Sequence, residues 1–242
     1  MTSGRLFSYK MTDDAGFAPN PWWGYLTLAT CKPKIREKKV PGDWIAGFTS
    51  GELCGHAVGA ERLVYLMLVS KKMPIEAYYR DRHFERKIPR PESKDLRLRL
   101  GDNIYKPLKE CPQTDDDFVQ LDDYCHGSGA KHHDLSGKYV LVAEQFVYFG
   151  RDAIAIPEAV RPVVPPGQSA HGSQTRDNAR ALDFIKYVTQ RAGLRGAVLG
   201  APYSWPQSAE GWQNNNLTCS ASRKKVPGKP RAAVSSERKV RC

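Results

Sequence analysis

The segment Leu63-Val-Tyr-Leu-Met-Leu-Val69 constrains the fold of this chain more than any other. In a strand, residues two apart share a face. Leu63, Tyr65, Met67 and Val69 then lie on one face, and Val64, Leu66 and Leu68 on the other. Both faces are apolar, so a strand over 62–69 must be central and covered on both sides. The same run is far too short to span a bilayer. A chain of 242 residues is ample to supply the covering layers.

The neighbouring segments read as further strands with a few helices between them. Leu6 to Lys10, Leu26-Thr-Leu-Ala-Thr30 and Trp44-Ile-Ala-Gly-Phe48 are predicted strands, the last with Trp44, Ala46 and Phe48 on one face. Lys138 to Gly150 predicts one long strand, bent near Glu144-Gln145, and Gly196 to Pro202 a final one. On the long strand Phe146 and Tyr148 share one side, Val147 and Phe149 the other. One pair belongs to a core, and the other lines a groove or supports a helix. Pro74 to Asp81 predicts a short helix with proline at an early position. Arg176 to Ala192 is the clearest helix: Ala181, Phe184, Ile185, Val188 and Ala192 fall at helical spacing, and Gly193 sits at the C-cap. His83 to Gly101 is basic and irregular, and Cys111 to Gly137 reads as a long loop. This order predicts an α+β fold: a strand-rich mixed sheet or small curved barrel, with a few flanking helices.

Charge separates the chain into two parts. The net charge is +11, yet residues 221–242 hold eight basic residues against Glu237 alone. The first 220 residues hold 29 basic and 25 acidic residues. Pro227, Gly228 and Pro230 add to a composition that does not build a core. The expectation is therefore one domain over 1–220 and a basic disordered tail over 221–242. Such a tail either contacts phosphate backbones or only adds solubility. The opening MTSGRLFSYK lacks the apolar stretch of a signal peptide, so a cytoplasmic protein is expected.

Six cysteines form no CxxC pair, and disulfides are not expected. Cys125-His126 and His132-His133, with Asp134 among the acids nearby, are candidate metal ligands by type. Adjacent residues on a strand point to opposite faces, so the region reads as a polar loop and no metal is assigned. No cofactor is assigned either. There is no Walker A loop, GxGxxG, HExxH, GxSxG or zinc-deaminase signature.

Two Gly-Asp turns open strands beside aromatic residues: Gly42-Asp43-Trp44 and Gly101-Asp102-Asn103-Ile-Tyr105. Stacking on a flat ring combined with polar edge contacts is how a flipped or single-stranded base is held. On that reading Trp44 and Tyr105 stack, while Asp43, Asp102 and Asn103 read polar edges. Trp22 or Trp23 closes the pocket, and Arg80, Arg82, Arg86 and Lys87 approach phosphates. The alternative is structural: Asp and Asn cap their turns, and Trp44 and Tyr105 pack in the core. For an enzyme, the candidate acid–base groups are Asp102, His83 and His126.

At these blocks the chain resembles a known family. Gly42-Asp-Trp-Ile45, Leu63 to Val69, Tyr79-Arg-Asp-Arg-His-Phe-Glu-Arg-Lys-Ile-Pro89, Gly101 to Tyr105 and Phe146-Val-Tyr-Phe-Gly150 occur in the order of the nucleotide modification associated domain 2 family, described as DNA base hypermodification proteins. Gly16 to Pro21 and Thr27 to Pro33 also fit, so the likeness runs from about Leu6 to Gly150. Phe118-Val-Gln120 and His126 fit the continuation loosely, whereas Asp115 to Asp117 and Cys125 are particular to this chain. The resemblance implies a protein of a bacterial or phage DNA-modification system that recognises a nucleobase or modified nucleotide. Its expected partners are nucleic acid, DNA first, or a nucleotide, together with other proteins of such a system. The alternatives are a base-modifying enzyme and an interaction subunit. The pattern is also similar to the PUA-like group (PUA, ASCH, EVE, YTH and SRA domains), small curved barrels that bind bases.

Overall fold

The computed structural model describes residues 4–121, 126 and 128–205. Cys125 and the basic segment 221–242 lie outside the described residues. In chain order the elements are β1 (Leu6–Lys10), β2 (Leu26–Leu28), α1 (Pro33–Lys38), β3 (Trp44–Phe48), α2 (Gly51–Cys54), β4 (Leu63–Leu68), β5 (Lys71–Pro74) and α3 (Ile75–Arg80). There follow α4 (Leu96–Arg99), β6 (Tyr105–Pro107), β7 (Phe118–Gln120), α5 (Lys131–Leu135), β8 (Tyr139–Ala143), β9 (Gln145–Tyr148), β10 (Ser173–Thr175), α6 (Asn178–Ala192) and β11 (Arg195–Val198).

The doubly apolar segment is β4, and it lies inside a six-stranded sheet of order β10-β1-β3-β4-β9-β11. The sheet is mixed: β1 runs parallel to β3 and β9 to β11, while β4 is antiparallel to both its neighbours. Its ends, β10 and β11, do not pair with each other, so among the described residues the sheet is open and not a barrel. The fold is α+β and strand-rich, with the mixed sheet rather than the barrel realised.

Two layers cover β4. On one side, Leu66, Trp44, Phe48 and Val147 pack with Phe184, Ile185 and Val188 of α6. On the other, Tyr65, Met67, Phe146 and Tyr148 pack with Leu26, Leu28 and Leu141 of a second sheet, β2-β8-β5. The far face of that second sheet presents Met73, Val140 and Val142 to a third cluster, which holds Tyr78, Phe84, Leu96, Ile104 and Tyr105. Both pairs of the 146–149 stretch are thus core: Phe146 and Tyr148 between the sheets, Val147 and Phe149 under α6.

Two sequence expectations need correction. Lys138–Gly150 is not one strand. β8 belongs to the three-stranded sheet and β9 to the six-stranded one, and Glu144 between them is where the chain changes sheets. The stretch 111–137 is not all loop, since β7 pairs with β6 and α5 carries Asp134 into the core. Neither element is long enough to show a period of its own.

Candidate functional site

The two Gly-Asp turns do not meet. Asp43 accepts two hydrogen bonds from the Arg5 guanidinium, at 2.9 and 2.8 Å, and a third from the Val40 N–H. Trp44, 8% exposed, packs under α6. Asp102 is buried in the third cluster's layer, where it accepts from Tyr78 Oη at 2.7 Å and Thr27 Oγ1 at 2.6 Å. Burial raises its pKa, partly offset by Lys87, Thr27 and Tyr78. Asn103 donates to the carbonyls of Tyr78 and Phe84. Tyr105 is in the same layer, on the opposite side of both sheets from Trp44. Lys87 is wholly buried and donates to Asn20 O, Asn20 Oδ1 and Tyr25 O. Burial lowers its pKa to about 8. With these three bonds made, Lys87 points away from any phosphate in solvent, and the cations left for that role are arginines.

The structure does gather Trp23, Arg86 and a residue that sequence reasoning passed over, Arg97. The Arg86 guanidinium lies 3.6 Å from the Trp23 ring centre and that of Arg97 5.0 Å. Arg97 is oriented by a two-oxygen contact with Asp95, which also caps α4. Arg82, Arg86, Arg90 and Arg97 are all exposed. Arg80 is exposed too, and donates to the carbonyls of Lys109 and Glu110. Residues 80–99 hold eight basic and four acidic side chains, an excess equal to that of the whole of residues 1–220. The positive excess of residues 1–220 is therefore concentrated here. Trp22 stacks on Trp205 at 5.1 Å, and the indole N–H groups of Trp22 and Trp23 have no acceptor among the described residues. His83 is exposed, with Nδ1 at 2.7 Å from Asp81.

His126 sits in a different setting. Its Nε2 is 3.3 Å from Cys31 Sγ and 3.7 Å from Asp134 Oδ2. The Phe17 ring lies 4.8 Å from the imidazole, and Gln120 Nε2 donates to the His126 carbonyl. Asp134 is held on both oxygens: Oδ1 accepts from the Cys31 N–H at 2.7 Å and Oδ2 from Tyr105 Oη at 2.8 Å. Cys31 and Lys32 both have positive φ, 53° and 39°, an arrangement that costs energy for side chains other than glycine. The buried Arg36 fastens this turn by donating to the carbonyls of Cys31, Asp134 and Tyr139. Burial, reinforced by the Asp134 carboxylate, pushes the Cys31 thiol up to about 12.

A family model described as nucleotide modification associated domain 2 matches residues 3–209. The chain belongs to that family. No curated protein and no solved structure gives a match. The nucleotide modification associated domain 2 match takes in the Trp23 face and the Cys31–His126–Asp134 cluster alike, and it associates the chain with nucleotide modification. Among the described residues no helix is long and apolar enough to cross a membrane.

Of the residues singled out in the sequence, this domain brings together Trp23 with Arg86, and Tyr105 with His126 through Asp134. Sequence reasoning missed Cys31 and Arg97, and noted Asp134 only as an acid near the histidines. Cys31 lies 95 positions from His126, so no local spacing signals their encounter.

Proposed function

We propose that this domain recognises a nucleobase or modified nucleotide, in DNA or free, on the face built by Trp23, Arg86 and Arg97. The observation that carries the reading is the pair of guanidiniums laid over one indole beside the segment that holds the excess charge of residues 1–220. A guanidinium plane is a surface on which bases stack, and the exposed Arg82 pairs with phosphate. The Trp23 N–H is a donor that an oxygen of the ligand would satisfy. Family membership supports the choice of a nucleotide as ligand. The partners that follow are nucleic acid or nucleotide and other proteins of a DNA-modification system, in the cytoplasm.

The test is fluorescence anisotropy with a labelled single-stranded oligonucleotide across a salt series. Trp23→Ala should weaken binding by about 5- to 150-fold, the range that ~1–3 kcal/mol of stacking implies. Arg82→Gln should reduce the slope of log affinity against log salt by about 0.7. Binding unchanged in both variants would overturn the assignment.

The second reading, an enzyme acting on a base or nucleotide, is favoured by the convergence of Cys31, His126 and Asp134. Mass spectrometry of nucleotides incubated with the purified chain separates the two readings, since a binder retains its ligand unchanged.

A further inference from the structure

We infer that Cys31, His126 and Asp134 form a binding site for one divalent transition-metal ion, zinc by ligand type. The inference stands apart from the Trp23 face and needs no assumption about what the chain does to a nucleotide.

The first ground is distance. Zinc bonds sulfur at about 2.3 Å and nitrogen or oxygen at about 2.0–2.2 Å, so the edges of a tetrahedron around it measure about 3.3–3.6 Å. The two edges that meet at His126 Nε2 are 3.3 Å to Cys31 Sγ and 3.7 Å to Asp134 Oδ2. All three donor atoms lie within 4.8 Å of one another. Small side-chain movements that draw Cys31 and Asp134 together around the metal complete the site.

The second ground is which nitrogen is used. In a Cys-His-Asp catalytic triad the nucleophile and the carboxylate face opposite nitrogens of the imidazole, so that one proton can be relayed. Here Sγ and Oδ2 approach the same atom, Nε2. One ring proton cannot serve both, whereas a cation placed between the three atoms serves all of them.

The third ground is the outer shell. Ligating carboxylates are held by hydrogen bonds that fix their direction. Asp134 has such bonds on both oxygens, from the Cys31 N–H and Tyr105 Oη. The strained Cys31-Lys32 turn aims the thiol, and Arg36 ties the turn to α5 and β8 through carbonyls, with its charge directed at the backbone rather than the donor atoms. A thiolate, an imidazole and a carboxylate together suit zinc and its first-row neighbours, and not magnesium or calcium. Among the described residues three ligands converge, and three protein ligands leave a fourth position for water or substrate, as at catalytic rather than structural zinc sites. On binding, the metal–sulfur bond replaces the S–H bond and the thiol proton passes to solvent.

The experiment uses the full chain stripped with a chelator and titrated with cobalt(II), then with zinc. Expected are one bound metal per chain, a near-ultraviolet sulfur-to-cobalt charge-transfer band, and loss of the cobalt spectrum on adding zinc. Cys31→Ser should abolish the charge-transfer band, His126→Gln should weaken cobalt binding at least tenfold, and Cys111→Ser, at an exposed cysteine, should change nothing. Circular dichroism confirms that each variant is folded. Absence of metal binding by the unmodified chain would overturn the inference without recourse to any variant. So would a charge-transfer band that survives in folded Cys31→Ser.

Discussion

At the scale of single residues, the structure spends polar side chains on the interior more freely than the sequence suggests. Asp14 is buried, accepts from Tyr148 Oη at 2.5 Å and from the Tyr203 N–H, and burial pushes its pKa up to about 6. A carboxyl whose folded pKa lies above its unfolded value stabilises the fold fully below the unfolded pKa. That contribution is lost as pH rises through the folded value. Relative to Asp14→Asn, the wild type should therefore lose about 2–3 kcal/mol between pH 4 and pH 7. Urea denaturation across that range reads the difference, and parallel profiles for the two proteins would refute it. The same inward turn of polar groups explains what was legible in Asp43, Asp102 and Asn103. Their Gly-Asp turn chemistry could be read from the sequence, but the partners that use their oxygens and amide, Arg5, Tyr78 and Thr27 among them, come from remote segments. Local spacing cannot distinguish a carboxylate aimed at a ligand from one aimed at such a partner.

At the scale of elements, legibility followed burial pattern and length. β1, β3, β4 and α6 each carry a complete period of apolar residues, and they occur where that period predicts. β6, β7 and α5 have between three and five residues, too few to show a period, and only tertiary pairing creates them. Packing at the sheet centre is equally demanding. A Cβ on Gly47 of β3 would lie 2.2 Å from Tyr65 Cε1 and 2.8 Å from Met11 Sδ. Tyr65 cannot swing aside cheaply, because its hydroxyl donates to Tyr9 Oη at 2.9 Å. Gly47→Ala should cost about 1–3 kcal/mol in chemical denaturation, despite alanine being the better strand former. A neutral result would mean that the Tyr65 ring has room the packing does not show.

At the scale of the whole molecule, charge and chain closure matter most. The +11 of the sequence suggests a generally basic protein. Once residues 221–242 are set aside, the excess of the remainder resides between Arg80 and Arg99, beside Trp23. Closure depends on residues 200–205. Trp205 stacks on Trp22 and donates to the Ala15 carbonyl at 2.8 Å, and the Ser204 N–H donates to the Asp14 carbonyl. A chain cut after residue 200 should lose about 3–5 kcal/mol, the usual effect of deleting a buried tryptophan, and melt ~10 °C lower. A chain cut after residue 220 should melt like the full chain, as one domain over 1–220 requires. Equal melting of all three would deny the Trp205 contact any part in stability.

The change of sheet at Glu144 has a mechanical consequence. One residue separates β8 from β9, so the two sheets are a single piece of backbone folded across a hinge of minimal length. There is no slack in that hinge for one sheet to slide or peel while the other stays in place. A disturbance at β8, whose Tyr139 carbonyl is gripped by Arg36 beneath Cys31, is handed through one residue to β9 and hence to the strands around β4. The cluster at Cys31 and the centre of the large sheet are in that sense two ends of one lever.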